Sequence, residues 1–298
     1  MPAPIALFTF NRLQHTRATI DALKKNILST ESDLWIFSDG PSSEGNIFSV
    51  QKVRDYLRTV TGFKTVQIVE REKNYGLGNN IIDGVTQVVS KYGKVIVLED
   101  DLITSPFFLQ FMNDGLDIYE NHEKVISIHG YILPVEEELP ETFFLKGADC
   151  LGWGTWLRSW KQFERDGKKL LNQLEAAGTK DEFDFGKAYP YTQMLKDQIE
   201  GKNNSWAIRW YASAFLKDLF TLYPFKSLVF HAGGDGTGTN TGFDKILDVN
   251  LTFRRITVTE TVVVQNHTAY KAFAKVLKKM HKPPLLYRIK RRMRKLLS

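Results

Sequence analysis

Short apolar runs alternate with amphipathic helical patterns along the first hundred residues. The apolar runs cover residues 3–10, 34–37, 66–69 and 95–98. The helical patterns between them cover residues 16–28, 50–60 and 79–90. Continuously apolar strands that alternate with helices are typical of a parallel sheet covered by helices on both faces. This part of the chain therefore predicts an α/β fold.

Beyond residue 101 the alternation is less regular. A helix is predicted over 106–119, with a proline in its first turn. Strands are predicted over 125–129, 143–145, 228–230 and 259–264, and helical patterns dominate 156–220. No internal repeat or linker-like stretch interrupts the sequence, so the second half is expected to extend the same sheet. We divide the chain into a first half (1–101), a second half of the same domain (102–265) and a tail (266–298).

The net charge of +6 over 298 residues is unevenly distributed. Eleven Lys and Arg residues and no acidic residue lie between Lys271 and Ser298, which leaves 29 basic and 34 acidic residues before them. A mildly acidic body argues against nucleic-acid binding, because the phosphate backbone selects basic surfaces. One cysteine, Cys150, excludes a disulfide framework and a cysteine metal cluster, and it favours a reducing compartment.

The end of the tail has an amphipathic pattern of its own. After Pro283 and Pro284, six apolar residues fall within an arc of roughly 120° on a helical wheel, and six Lys and Arg residues lie outside it. This pattern is typical of a helix in the headgroup region of an anionic membrane, and a terminal helix packed on the body is the alternative. Since no apolar run is long enough to span a bilayer and no signal peptide is recognisable, we expect a cytoplasmic protein bound to the inner face of the cell membrane.

Three consecutive carboxylates follow the fourth predicted strand. Glu99, Asp100 and Asp101 come directly after the apolar run 95–98. Ligands of open α/β sheets bind beyond the carboxyl ends of the strands, and adjacent carboxylates repel one another unless a cation compensates them. Mg²⁺ or Mn²⁺ bridging a diphosphate would do so, because these ions take carboxylate, phosphate and water oxygens. The alternative is a solvated loop or a helix N-cap.

Polar loops also follow the first three predicted strands. An arginine can bind phosphate oxygens, an aspartate can accept hydrogen bonds from a base or ribose, and glycines let the backbone approach a ligand. The residues concerned are Asn11, Arg12, Asp39, Asn74, Gly76 and Gly78. Each loop alone is equally consistent with an ordinary cap or turn. The segment 74–80 lacks the third glycine of a dinucleotide site and follows the wrong strand for one, which disfavours NAD binding.

The second half contributes four further candidates. His231 and Asp235 lie in a glycine-rich stretch over 230–240 that could order over a diphosphate, with the imidazole as a second metal ligand. Asp235 and Asp149 are the candidates for a general base, which must reach the acceptor hydroxyl. Five of the six tryptophans lie between 153 and 210, and Trp153, placed by its glycine neighbours in a predicted loop, is the candidate for lining a sugar site.

Taken together, these motifs resemble those of GT-A fold glycosyltransferases. The resemblance rests on the opening strand 5–12, the Ser-Asp-Gly turn 38–40, the Asn-Tyr-Gly segment 74–76 and the triplet 99–101, which corresponds to the acidic DxD motif. With the Gly-Trp-Gly-Thr-Trp segment 152–156, the triplet is similar to the N-acetylglucosaminyltransferase I family and its bacterial relatives. The resemblance covers about residues 3–240.

The resemblance implies a GT-A-like, mostly parallel sheet and a metal-dependent glycosyltransferase of the hexosyltransferase type. Residues 1–101 would bind a nucleotide-diphosphate sugar, with a UDP-sugar favoured, and 102–265 would bind a glycan or lipid-linked acceptor in bacterial surface polysaccharide synthesis. Asp101 would bind Mn²⁺ or Mg²⁺, while Glu99 and Asp100 would contact the ribose or sugar of the donor. Asp39 would contact the nucleobase, and Arg12 the diphosphate.

One position departs from the family pattern. Eukaryotic members of the family carry a carboxylate after a tryptophan of the acceptor half, where it serves as general base, whereas Ala207 follows Trp206 here. This departure leaves a non-catalytic carbohydrate-binding protein as one alternative. A sugar-phosphate nucleotidyltransferase is another, although the segment 11–14 lacks the glycine-rich loop that such enzymes carry after the first strand.

Overall fold

The computed structural model describes residues 1–235 and 247–281, which form ten strands and ten α-helices. The strands are β1 (Ile5–Thr9), β2 (Asp33–Ser38), β3 (Thr65–Glu70), β4 (Lys94–Glu99), β5 (Leu102–Thr104), β6 (Val125–His129), β7 (Thr142–Lys146), β8 (Trp153–Trp156), β9 (Phe220–Pro224) and β10 (Val229–His231). The helices are α1 (Leu13–Lys24), α2 (Ile47–Leu57), α3 (Leu77–Tyr92), α4 (Phe108–Ile118), α5 (Leu157–Trp160), α6 (Gly167–Ala177), α7 (Lys180–Phe183), α8 (Tyr191–Ile199), α9 (Ala207–Leu216) and α10 (His267–His281).

Eight strands form one sheet in the order β3-β2-β1-β4-β8-β6-β9-β7. The first four in this order are mutually parallel, β8 runs antiparallel to both of its neighbours, and β9 is parallel to β6 and antiparallel to β7. Six of these eight strands therefore point the same way, which confirms the predicted α/β fold with a mostly parallel sheet. Strands from both sides of residue 101 share the sheet, as the sequence predicted.

Helices cover both faces of β1, which explains the apolar run that predicts this strand. Along β1, Ile5 and Leu7 pack with α1, α2 and α4 on one face. Ala6 and Phe8 pack with α3 on the other face. All five residues of β1 are buried, and only Thr9, at its carboxyl end, has a polar side chain.

The order of the strands creates a crevice between β1 and β4. The chain leaves β1 for β2 and β3 on one side and then returns to β4 on the other side. In α/β sheets such a switch point opens a crevice at the carboxyl ends of the two strands, and ligands bind there. Arg12 follows β1, and Asp100 and Asp101 follow β4, so the fold brings three of the predicted site residues to this crevice.

Two sequence predictions of secondary structure are wrong. Residues 259–264 form no strand. The Tyr119 hydroxyl takes the place of a strand partner, because it donates to the Thr259 carbonyl at 3.2 Å and accepts from the Thr261 amide at 3.1 Å. Trp153, predicted to lie in a loop between its two glycine neighbours, belongs to strand β8 in the middle of the sheet. The glycine of this strand serves close packing, since a Cβ on Gly154 would meet Met112 and the Val95 carbonyl at 3.0 and 3.2 Å.

The described part of the tail is helix α10. Its apolar face, which includes Phe273 and Leu277, is buried against the second half of the domain. The amphipathic pattern after Pro284 lies outside the described residues. Among the helices of the described ranges, none has the length and apolarity needed to cross a membrane.

Asn26 connects three elements beneath the crevice and gives a test of the fold. Its Oδ1 accepts from the Leu109 amide in the first turn of α4, and its Nδ2 donates to Thr104 Oγ1 in β5, both at 2.9 Å. We expect Asn26→Ala to lower the free energy of unfolding by about 2–4 kcal/mol in urea, because it leaves the buried Leu109 amide unpaired and opens a void. The matched change Asn172→Ala, at an exposed position of α6, should stay within about 0.5 kcal/mol of the wild type. Equal stabilities of the two variants would contradict this bridge.

Candidate functional site

An ion pair joins the carboxyl ends of β1 and β4. Nη2 of Arg12 lies 2.5 Å from Asp100 Oδ1 and 2.8 Å from Asp101 Oδ2. Both carboxylates are buried, with 4% and 6% of their surfaces exposed. We call the segment of Asp100 and Asp101 the acidic loop. Helix α1 supports it from the side, since Thr19 Oγ1 donates to the Asp100 carbonyl at 2.8 Å. The alternative interpretation of the acidic triplet as a solvated loop is therefore wrong for Asp100 and Asp101.

The three carboxyl groups differ in charge. Burial, with the charges of Asp101 and Asp100 added, raises the pKa of Glu99 to about 8. Burial also raises the pKa of Asp100 to about 6, and Arg12 offsets only part of this effect. Burial would raise the pKa of Asp101 as well, but His231 and Arg12 outweigh it and bring that pKa down to about 2. Asp101 is thus the permanent anion of the triplet and the best placed to hold a cation.

The pairing of β5 with β10 brings His231 to Asp101. The antiparallel register places His231 opposite Leu102, and the Ala232 amide donates to the Asp101 carbonyl at 2.8 Å. Nε2 of His231 then lies 3.6 Å from Asp101 Oδ2. A Cβ on Gly233 would come closer than 3.0 Å to both atoms, so a side chain at this position would displace the pair. The two predicted metal ligands therefore share one narrow cradle.

Buried polar atoms around this cradle lack hydrogen-bond partners among the described residues. They are Thr9 Oγ1, Arg12 Nη1 and Asp100 Oδ2. Buried polar groups are nearly always paired, so three such atoms at the ends of β1 and β4 indicate that a polar ligand or water belongs there. Within the two described ranges, no group of three or more His, Cys, Asp or Glu side chains is arranged to hold a metal by itself. Asp101 and His231 fit a cation whose remaining ligands come from phosphate and water.

Asp39 holds the loop that follows β3. Its Oδ1 accepts from the Gly40 and Tyr75 amides at 2.9 and 2.8 Å, and its Oδ2 accepts from Asn74 Nδ2 at 3.1 Å. Gly40 is required there, because a Cβ would come closer than 3.0 Å to the backbone of Lys73 and Asn74. Asp39 and Asn74 thus position each other, and the contact of Asp39 with a nucleobase stays a prediction.

The backbone conformation and the packing of this loop explain why two of its positions are glycines. Gly76 has a φ of +71°, in the region that favours glycine, and it precedes α3. Gly78 is buried, and a Cβ there would lie 3.1 Å from the Asn204 carbonyl. Asn11 is half-buried in the turn between β1 and α1. These residues lie at the same edge of the sheet as the ion pair, and a donor contact by any of them stays a prediction.

Trp153 does not line an open site. It is fully buried in β8, and its ring centroid lies 5.5–5.8 Å from those of Trp160, Trp206 and Trp210. Since indole rings surround it, no face is left for a sugar, and the expectation that it binds one is not supported by its position. Trp160 is buried in the same cluster.

Asp149 lies on the wall of an aromatic cavity of about 200 Å³. We call it the aromatic cavity; its lining includes Tyr131, Leu133, Asp149, Cys150, Phe185, Tyr191, Met194, Ala207, Ile208, Tyr211, Tyr223, Phe273, Leu277 and Met280. Burial raises the pKa of the Cys150 thiol, and the charges of Asp149, Glu99 and Asp101 raise it further. Asp149 and Ala207 therefore face one cavity, although 58 positions separate them.

The Asp149 side chain remains 40% exposed. Its Oδ1 accepts from the Cys150 amide at 2.8 Å, and the nearby His129 does not pair with it. His129 Nε2 accepts from the Leu151 amide at 3.0 Å, and Nδ1 faces the Tyr131 carbonyl at 2.8 Å, which assigns the proton to Nδ1. Burial lowers the pKa of His129, so the ring is neutral and Nε2 has no proton for Asp149. Asp235, the other predicted base, ends the first described range, and its side chain lies outside it.

Comparisons with known proteins give distant structural likenesses. No family model and no curated protein matches the chain. The structure of S. aureus TarS matches at 15% identity and a TM-score of 0.42, over 79% of this chain and 37% of that one. Mannosyltransferase PcManGT from Pyrobaculum calidifontis, in complex with GDP-Man and Mn²⁺, matches at 10% identity and a TM-score of 0.30, over 45% of this chain and 38% of that one. Glucosyl-3-phosphoglycerate synthase from Mycobacterium tuberculosis matches at 10% identity and a TM-score of 0.31, over 54% of this chain and 58% of that one. The aligned region covers less than two thirds of each of these three chains.

Proposed function

We propose that this protein is a glycosyltransferase that moves a sugar from a nucleotide-diphosphate sugar to an acceptor hydroxyl, with Mn²⁺ or Mg²⁺ as cofactor. The observation that carries the proposal is the cluster of Arg12, Asp100, Asp101 and His231 at the switch point of the sheet. A cation beside an arginine in such a crevice matches the charge of a diphosphate. The motif resemblance supports the same class of reaction.

On the donor side, each charged residue has a distinct task. Asp101 and His231 hold the cation, and Arg12 contacts the diphosphate through the Nη1 atom that has no partner among the described residues. Glu99, protonated at neutral pH, can donate a hydrogen bond to the ribose or sugar. When bound, the cation supplies Lewis-acid stabilisation of the charge on the departing nucleoside diphosphate.

On the acceptor side, Asp149 is the proposed general base. It is a partly exposed carboxylate, and it faces the same cavity as Ala207, the position where the family pattern carries an acid. The base is thus supplied from the loop after β7 instead of the start of α9. It accepts the proton of the acceptor hydroxyl as that oxygen attacks the sugar.

The setting of the reaction is a further part of the proposal. We infer a UDP-sugar donor, a glycan or lipid-linked acceptor and a role in bacterial surface polysaccharide synthesis on the cytoplasmic face of the membrane. The basic amphipathic pattern after Pro284 supports the membrane contact.

The donor site is tested by UDP release from a panel of UDP-sugars with Mn²⁺. We expect Asp101→Ala and Gly233→Ala to reduce Mn²⁺-dependent UDP affinity by at least about 100-fold, because the first removes a ligand and the second fills the cradle. Asp55→Ala, at an exposed position of α2, is the matched control and should bind UDP as the wild type does. Saccharide binding without UDP release from any donor would contradict a transferase and favour a binding protein.

The proposed base is tested by Asp149→Asn, which keeps the shape of the side chain. We expect kcat to fall by about 10²–10⁴-fold, with UDP affinity changed by less than about twofold, because Asp149 acts on the acceptor and not on the donor. Steady-state kinetics and calorimetric titration with UDP and Mn²⁺ measure the two quantities. Unchanged kcat would exclude Asp149 and leave Asp235 as the candidate.

The membrane contact is tested by deleting residues 283–298. Sedimentation with phosphatidylglycerol vesicles should show binding at least about tenfold weaker, since each basic residue near an anionic surface contributes about 1 kcal/mol. Vesicles of phosphatidylcholine alone serve as the control. Equal binding of both proteins to anionic vesicles would remove the membrane proposal.

A further inference from the structure

We propose that the aromatic cavity binds an apolar group of the acceptor, next to the hydroxyl that Asp149 deprotonates. This inference rests on the proposed function and adds the chemical class of the acceptor. Its basis is the chemistry of the cavity wall, the size of the cavity and the position of its one carboxylate in the described lining.

Three of the four tyrosines of the wall direct their hydroxyl groups at the protein, which leaves the carbon atoms of their rings for the cavity. Tyr131 donates to the Leu247 carbonyl at 2.8 Å, and Tyr211 donates to the Phe183 carbonyl at 2.9 Å. Tyr223 points its hydroxyl at Asp149 Oδ2, 3.5 Å away. Their rings are therefore left to contact the occupant through their faces and edges.

The lysine of the lining is also engaged elsewhere. Nζ of Lys146 lies 3.2 Å from Glu182 and 3.0 Å from Asp218, so its charge is directed at these two carboxylates. Every hydroxyl of a buried sugar ring needs a hydrogen-bond partner, and an unpaired one costs about 1–3 kcal/mol. The described lining is mostly apolar, with Asp149 as its one carboxylate, and it therefore selects an apolar occupant over a sugar ring.

The volume limits the size of this occupant. An apolar cavity of about 150 Å³ holds one benzene ring, so about 200 Å³ holds a ring with one or two further carbons, or an alkyl segment of similar bulk. Sites for whole drug-sized ligands are larger, about 300–1,000 Å³. The cavity thus takes one apolar group of the acceptor, while the rest of the acceptor lies outside it.

The position of Asp149 fixes the relation between the two parts of the acceptor. Because the carboxylate forms part of the wall, the reacting hydroxyl lies directly beside the apolar group. An alkyl or aryl carrier joined to a hydroxyl or to a short hydroxylated unit meets this condition.

Binding is tested with 4-fluorobenzyl alcohol, followed by ¹⁹F NMR on the full chain. Ala207→Leu adds bulk to the wall and should weaken binding by about tenfold or more, while Ala176→Leu, at an exposed position of α6, should leave it unchanged. Met194→Ala enlarges the cavity from another wall and should raise the affinity for 1-fluoronaphthalene relative to the smaller probe. Competition by 1-octanol identifies an aliphatic carrier, and its failure to compete identifies an aryl carrier.

Binding that is absent from the wild type, or equal in the wild type and Ala207→Leu, overturns the inference. If Ala207→Leu does not fold, the relative affinity of Met194→Ala for the two probes tests the inference instead, and an affinity ratio equal to that of the wild type overturns it. This readout needs no turnover, so its failure is separable from that of the proposed function. Probe binding without UDP release supports the apolar binding site and contradicts the glycosyltransferase function. UDP release without probe binding supports the glycosyltransferase function and contradicts the apolar binding site.

Discussion

The contact of Arg12 with Asp100 and Asp101 is the interaction on which the geometry of the crevice depends. Burying a carboxylate costs several kcal/mol unless a cation and hydrogen bonds compensate it. Here two carboxylates are buried side by side at the end of a parallel strand, and one guanidinium from the neighbouring strand contacts both. The carboxyl ends of the parallel strands β1 and β4 lie side by side, because the register of the two strands places Phe8 beside Glu99. This arrangement makes the contact possible.

The rest of the site is built outward from this ion pair through the backbone. The Asp100 carbonyl accepts from Thr19 in α1, and the Asp101 carbonyl accepts from the Ala232 amide. These two bonds orient the acidic loop and bring the end of β10 over it. His231 reaches Asp101 for this reason, and the missing side chain of Gly233 leaves room for the pair. The geometry of the site therefore follows from the strand order and from two hydrogen bonds to main-chain carbonyls of the acidic loop.

The sequence allowed prediction of the first half of the sheet and of the acidic loop, and the reason is physical. Strands buried on both faces are apolar throughout, so β1 and β4 are visible locally, and parallel strands bring their carboxyl ends to one edge. By contrast, β8 was missed because glycines that serve packing resemble those of a loop. The strand predicted over 259–264 was wrong because the Tyr119 side chain replaces a strand partner. The aromatic cavity has no local signal, since its walls come from distant elements.

The charges of the crevice also explain why cation and diphosphate would bind together under the proposed function. In the described structure Arg12 already balances Asp101, so a cation entering alone meets a positive guanidinium beside its ligand. A diphosphate entering alone meets Asp101, whose pKa near 2 keeps it negative. With both bound, Arg12 would face the phosphate through Nη1 and Asp101 would face the cation, so each charge would have an opposite neighbour. A site with two protein ligands, Asp101 and His231, fits this joint binding better than a preformed metal centre would, because phosphate oxygens complete the ligand set.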